Sequence, residues 1–99
     1  MLLRWLNAAE SSAFGEDLAR QFDAEYRSIA LSSVAKREQK RRKLLARLLE
    51  QARSFGVSHR LGTYQKAKLG NKLKWTLTEL GHEPDVIDQL VKAVILALA

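Results

Sequence analysis

Apolar residues recur at helical spacing along nearly the whole 99-residue chain. No stretch alternates apolar and polar positions with the β-branched enrichment that is typical of a strand. One proline and five glycines are the only strong helix breakers, and Leu, Ala, Lys, Arg, Glu and Gln dominate the composition. The pattern predicts a single all-α domain, residues 1–99, made of four helices.

The first helical region runs from the N-terminus to about residue 31. Gly15 predicts a break near its middle, which leaves either one kinked helix or two short ones. Between Glu16 and Phe55 there is neither glycine nor proline, so one continuous helix is conceivable there, but a break is expected near Ser32–Ser33. The apolar positions of the first region are Leu2, Leu6, Ala9, Ala13, Leu18, Phe22, Tyr26 and Ile29.

A helical hairpin is predicted from two helices at about residues 34–55 and 63–80, with Gly56 and Gly81 as their stops. The apolar stripe of the first of these helices continues backwards into Arg41 and Arg37, so this helix extends beyond its core. The stripes consist of Leu44, Leu45, Leu48, Leu49 and Ala52 in one helix and Leu69, Leu73, Leu77 and Leu80 in the other.

An amphipathic C-terminal helix is predicted over residues 84–98, with Pro84 at its first position. Its end is apolar around most of the circumference and needs cover on more than one side. A second copy of the chain is the expected cover, which predicts a homodimer. The predicted oligomer interface comprises Val91, Ile95, Leu96 and Leu98.

The charged residues indicate a binding function, because they are distributed very unevenly along the chain. The net charge of +6 combines acidic flanks, −2 over residues 1–34 and −3 over residues 75–99, with +11 over residues 35–74. The densest part is "AKREQKRRK", residues 35–43, where like charges at helical neighbours repel each other. An anionic partner offsets that repulsion, and nucleic acid is the leading candidate.

The basic run is also compatible with a solvated helix face, with a contact to an acidic protein, or with binding to an anionic lipid surface. The lipid alternative would use Leu2, Leu3, Trp5 and Leu6 as an interfacial anchor, against the repulsion of the acidic flanks. The candidate residues for nucleic-acid or other anion binding are Lys36, Arg37, Lys40, Arg41, Arg42, Lys43, Arg60, Tyr64, Lys68 and Lys72.

Two aromatic residues extend this interpretation. Tyr64 and Trp75 share a predicted helix face with Lys68 and Asn71, which suits base stacking beside phosphate contacts. The favoured alternative is that both rings pack on the first helix. A helix-turn-helix across residues 52–68 is a weaker possibility, because Gly62 and Gln65 occupy positions that such a motif fills with apolar side chains.

Catalysis and metal binding have little support. The chain has no cysteine, and its two histidines, His59 and His82, lie on different predicted loops without ligand spacing. Acids Glu16, Asp17, Asp23 and Glu25 cluster in the first region, where they could pair with the basic centre. No metal, cofactor or enzymatic activity is predicted.

Membrane insertion is not expected either. The longest apolar run has seven residues, 93–99, against roughly 20 for a bilayer span, and the N-terminus lacks the apolar core of a signal peptide. The sequence therefore predicts a cytoplasmic, non-enzymatic binding protein. Its leading function is nucleic-acid binding without strong sequence specificity through residues 35–74. The alternative is a self-associating interaction or scaffold module that uses the C-terminal helix.

Overall fold

Four α-helices make up the chain in a computed structural model, which describes the backbone of residues 2–99 and the side chains of residues 8–99. The helices are α1 (Leu2–Ala30), α2 (Val34–His59), α3 (Thr63–Glu79) and α4 (Pro84–Leu98). The all-α prediction is confirmed. The predicted roles of Leu2, Leu3, Trp5 and Leu6 fall outside the described side chains.

The helix boundaries confirm most of the predicted breaks and correct two. α1 ends before Ser32–Ser33, Pro84 opens α4, and Gly81, with φ +88°, follows α3. The alternative of two short helices around Gly15 is wrong, since α1 is continuous across it. The stop at Gly56 is also wrong, because α2 continues to His59 and ends at Arg60 in the left-handed conformation, φ 48°.

The helices form a ring in which α1 and α4 each pack on both α2 and α3. The two helices of the predicted hairpin are present and joined by residues 60–62, but α2 and α3 do not pack on each other. They lie diagonally across the bundle. A helix-turn-helix requires its two helices to pack together, so this arrangement does not support that possibility.

The most extensive helix–helix contact in the bundle is between α1 and α3, and small residues on α1 permit it. A Cβ atom built on Gly15 would lie 2.5 Å from the carbonyl oxygen of Leu69 and 3.3 Å from the backbone nitrogen of Leu73. Ser11 and Ala19, one turn before and after Gly15, are both fully buried. A stripe without bulky side chains therefore lets the α3 backbone lie directly against α1.

A hydrophobic core fills the ring. Its buried side chains come from all four helices. On α2 the predicted stripe is buried at Leu44, Leu48 and Ala52, half-buried at Leu49 and exposed at Leu45. The largest apolar members with less than 2% exposure are Leu18, Leu48, Leu69, Leu73, Leu77 and Val94.

A polar contact fixes the connection between α3 and α4 to α1. His82 Nε2 lies 2.8 Å from Asp23 Oδ1, and its ring packs against Phe22 and Tyr26. Arg27 donates to Asp23 at 2.8 Å and to the carbonyl of Leu80 at 2.9 Å. Burial alone would raise the pKa of Asp23, but the hydrogen bonds and charges of His82 and Arg27 outweigh it and lower that pKa.

Across residues 2–99, none of the helices combines the length and the apolar character that a bilayer crossing needs.

Gly15→Ala should destabilise the fold by about 1–3 kcal/mol, because the new methyl group meets backbone atoms of α3 and forces the helices apart. This cost outweighs the roughly 1 kcal/mol that alanine gains over glycine inside a helix. Urea unfolding followed by circular dichroism measures the difference. Gly56→Ala is the matched control, because its Cβ meets the movable Leu98 side chain at 3.0 Å, and the nearest backbone atom, the Cα of Leu98, lies at an ordinary contact distance of 4.0 Å. Equal stability of the two variants would contradict the packing argument.

Asp23→Asn should lower the free energy of unfolding at neutral pH by about 1–2 kcal/mol, because it weakens the contacts with His82 and Arg27. The pKa of Asp23 is lowered by folding, so its contribution is present above the ordinary value of 3.8 and is lost as the pH falls through the lower folded value. Wild-type stability should thus fall more steeply than that of the variant as the pH falls below about 4. The exposed Asp17→Asn serves as the control, and a steep acid loss retained in Asp23→Asn would contradict this account.

Candidate functional site

The basic segment, defined as residues 35–43, forms the exposed beginning of α2. Every residue in it is exposed except Arg37, which is half-buried, and the first buried residue of the helix is Leu44. Just before it, Leu31 and Val34 are 90% and 77% exposed. The core therefore does not reach these first turns of α2, as the change from leucine to arginine along its stripe predicted.

Arg37 has a structural role in addition to its charge. Its guanidinium donates to the carbonyl oxygens of Ser32 at 3.1 Å and Ala30 at 3.0 Å. These carbonyls lie at the C-terminal end of α1, where a positive charge is favourable to the helix dipole. Arg37 therefore fixes the turn between α1 and α2, and this orients the basic segment relative to the bundle.

Two further cations contact neutral groups of neighbouring residues. Lys40 Nζ donates to the Ser32 hydroxyl at 2.8 Å, and the Arg41 guanidinium lies 5.4 Å from the centre of the Tyr26 ring. These contacts position the side chains and leave their charges in place, because neither a hydroxyl nor a ring carries a compensating negative charge.

One ion pair lies within the segment, between Arg42 and Glu38 at 2.8 Å, and both side chains are more than three-quarters exposed. Such a surface pair is worth little in water. Lys36 and Lys43 have no carboxylate within 4 Å among the described side chains. Of the six cations in the segment, only Arg42 is therefore paired with an acid in residues 8–99.

Several basic side chains outside the basic segment are paired with acids. Arg47 pairs with Glu25 of α1, Arg53 pairs with Glu50, and Lys72 lies 3.6 Å from Glu16. The predicted pairing between the acidic first region and the basic centre thus occurs, but it reaches residues beyond the basic segment. Lys72 is already partly compensated and is the weakest candidate on α3.

Tyr64 and Trp75 lie on the outer face of α3. They are 60% and 53% exposed, so the expectation that both rings pack on the first helix is wrong. The buried side of α3 is made by Leu69, Gly70, Leu73, Thr76 and Leu77, which face α1 and α4. Because α2 lies diagonally opposite, no other helix within residues 2–99 covers the outer face.

The predicted binding residues fall into three places. The basic segment lies at the end of the bundle that contains the last turn of α1, whereas Tyr64 and Lys68 lie near the start of α3. Arg60 lies in the connection between α2 and α3 and lines a cavity of about 510 Å³. The structure thus groups the six cations of the basic segment and separates them from the α3 candidates.

The cavity beside Arg60 brings the predicted interface residue Leu96 together with Val57, Arg53 and Lys66, which the sequence did not single out. Val57 and Leu96 are 74% and 75% exposed there, and Arg53 and Lys66 flank them. Three helices bring these residues together, so their spacing in the sequence carried no signal. We call Val57, Leu96 and the cations Arg53, Arg60 and Lys66 the end patch.

The predicted oligomer interface is only partly at the surface. Leu98 is in the chain's own core, Val91 and Ile95 are half-buried, and Ile95 lies over Gly70 of α3. Much of the cover that the apolar C-terminal helix needs comes from α2 and α3, since α4 packs between them. Leu96 remains the exposed member of the set.

No group of three or more histidine or carboxylate side chains within residues 8–99 is placed to hold a metal ion. The histidines each contact one acid, His59 with Glu10 at 3.3 Å and His82 with Asp23. Each also packs on aromatic rings, which gives it a structural role. In comparisons with known proteins, the chain matches no family model, no curated protein and no solved structure.

Proposed function

We propose that the protein is a non-enzymatic binding protein whose basic segment contacts the phosphates of nucleic acid without strong sequence specificity. The observation that carries the proposal is that, within residues 8–99, five of the six cations in this exposed segment have no carboxylate partner. Closely spaced cations neutralise phosphates and release their counterions whatever the base sequence. A cytoplasmic location is part of the proposal.

The position of these cations on the helix also supports a partner. The first turn of α2 contains no acid, although acids are favourable at that end, and Lys36 and Arg37 follow within one turn. Cations near the positive end of a helix dipole destabilise the helix slightly. A phosphate bound there relieves both this effect and the mutual repulsion of the side chains.

Lys36→Gln and Lys43→Gln should each reduce the slope of log affinity against log salt by about one, because each removes one phosphate contact. Both side chains are exposed and lack a carboxylate partner in residues 8–99, so stability should not decrease. Fluorescence anisotropy with a labelled duplex across a salt series measures the slope. Arg37→Gln is unsuitable here, since Arg37 also binds carbonyl oxygens at the end of α1.

Lys92→Gln is the matched control, because it removes one exposed lysine from α4, outside the basic segment. Its salt slope should equal that of the wild type. Absence of binding to duplex and single-stranded nucleic acid at about 50 mM salt would reject the proposed function. If Lys36→Gln, Lys43→Gln and Lys92→Gln all gave the same salt slope, the basic segment would not be the site of nucleic-acid binding.

A second candidate function, self-association as an interaction or scaffold module, is favoured by the end patch. Val57 and Leu96 are two large apolar side chains exposed beside each other at one end of the bundle. Exposed apolar groups of this kind mark contact surfaces, and a two-fold dimer through them would double the basic surface.

Leu96→Lys should convert a dimer into a monomer that still folds, because Leu96 contributes little to the core of the single chain. The unfolding temperature should fall only by the stabilisation that association supplies to the wild type. Sedimentation or light scattering gives the mass, and thermal unfolding gives the stability. Gln89→Lys, another exposed position on α4, is the control. A monomeric wild type, or a dimer that survives Leu96→Lys, would exclude self-association through the end patch.

A further inference from the structure

The outer face of α3 is a regular arrangement of flat rings and polar side chains. At about 100° per residue, Tyr64, Lys68, Asn71 and Trp75 fall within about 60° of arc, opposite the buried stripe of the helix. The two rings are eleven positions apart, which is about 16 Å along the helix. Both rings are more than half exposed, which is unusual for residues of this size.

Each ring has its own neighbouring lysine. Lys68 Nζ lies 5.9 Å from the centre of the Tyr64 ring, and Lys74 Nζ lies 5.6 Å from the centre of the Trp75 ring. Neither lysine has a carboxylate within 4 Å among the described side chains. A positive charge beside an exposed ring matches a nucleotide, which presents a flat base next to a phosphate.

Asn71 restricts the orientation of the indole. Trp75 Nε1 donates to Asn71 Oδ1 at 3.0 Å, so the polar atom of the indole is satisfied within α3. A ring that is already oriented loses less freedom when a base stacks on it. The same hydrogen bond leaves the exposed part of the ring as an apolar surface.

We infer that the outer face of α3, through Tyr64 and Trp75 with Lys68 and Lys74, binds single-stranded nucleic acid by base stacking. This inference rests on the proposed function and specifies its substrate, because duplex DNA or RNA keeps its bases stacked inside the helix and offers their faces to no ring. The basic segment binds phosphates of either form, whereas the face of α3 adds affinity for the single strand. Preference for single strands is thus assigned to α3.

Trp75→Ala should lower affinity for a single-stranded oligothymidylate of about 16 nucleotides by about 5- to 100-fold, the range expected for loss of one stacked base. Tyr64→Ala should lower it to a similar extent. Affinity for a duplex of the same length should change by less than about 2-fold, because the duplex uses phosphate contacts alone. Both rings are exposed, so thermal unfolding should remain at the wild-type temperature and identify any variant that fails to fold.

Two controls separate stacking from charge. Trp75→Phe should retain most of the single-strand affinity, since a flat ring remains. Trp75→Ala should leave the salt slope unchanged, whereas Lys36→Gln changes it for both single strand and duplex. In the wild type, single strand should quench tryptophan fluorescence, and Trp75→Ala should remove that quenching.

The outcomes distinguish the two proposals. In one outcome, the wild type binds duplex and single strand and its affinity falls with salt, but Trp75→Ala and Tyr64→Ala do not weaken single-strand binding more than duplex binding. The stacking surface is then overturned and the proposed function stands. If the wild type binds no nucleic acid, both are overturned. Binding of polyglutamate that Trp75→Ala weakens, without binding of oligothymidylate or of duplex, would overturn both and assign this face to an acidic protein instead.

Discussion

The close contact between α1 and α3 is the constraint on which the rest of the structure depends. Gly15 brings the α1 backbone against Leu69 and Leu73, and no side chain larger than hydrogen fits at that point. Because α3 occupies this side of α1, α2 packs on the other side and α4 closes the ring. Since α1 and α4 lie between α2 and α3 on the two sides of the ring, α2 and α3 lie diagonally opposite each other.

This arrangement determines which charged and aromatic surfaces remain exposed. α3 buries one side against α1 and α4, so its opposite side, with Tyr64 and Trp75, faces away from the bundle. α2 is longer than the part of the bundle that it packs on, so its first turns extend beyond the core with the basic segment. The two surfaces are therefore separate, and one extended polymer could contact both whereas a small ligand could contact only one.

The fold pairs some of its basic side chains with acids and leaves others without an acidic partner within 4 Å in residues 8–99. Acids of α1 compensate Arg47 and Lys72, and acids adjacent on the same helix compensate Arg53 and Arg42. The fold thus has carboxylates within reach of several cations, yet in residues 8–99 only Glu38 lies within 4 Å of a cation of the basic segment. Glu25, which pairs with Arg47, lines the same cavity as Lys40 and Lys43 without forming an ion pair with either. Concentrated charge of one sign, exposed and largely uncompensated, favours a polyanionic partner over a purely structural role.

The sequence by itself determined the four helices, most of their ends and most of the core positions, because apolar spacing, Pro84 and Gly81 act through local geometry. Its predictions of core positions at Ala9, Ala13 and Leu45 were wrong, since these residues are exposed. It also identified the basic segment, since charge density needs no coordinates. Only the tertiary structure decided the role of Gly15, the exposure of Tyr64 and Trp75, and the end patch. A glycine that ends a helix and one that admits a neighbouring backbone look alike in sequence, and the exposure of a ring depends on which helices pack beside it. Which helices pack together depends on the side-chain volumes of two helices at once, and a single stretch of the chain contains only one of the two.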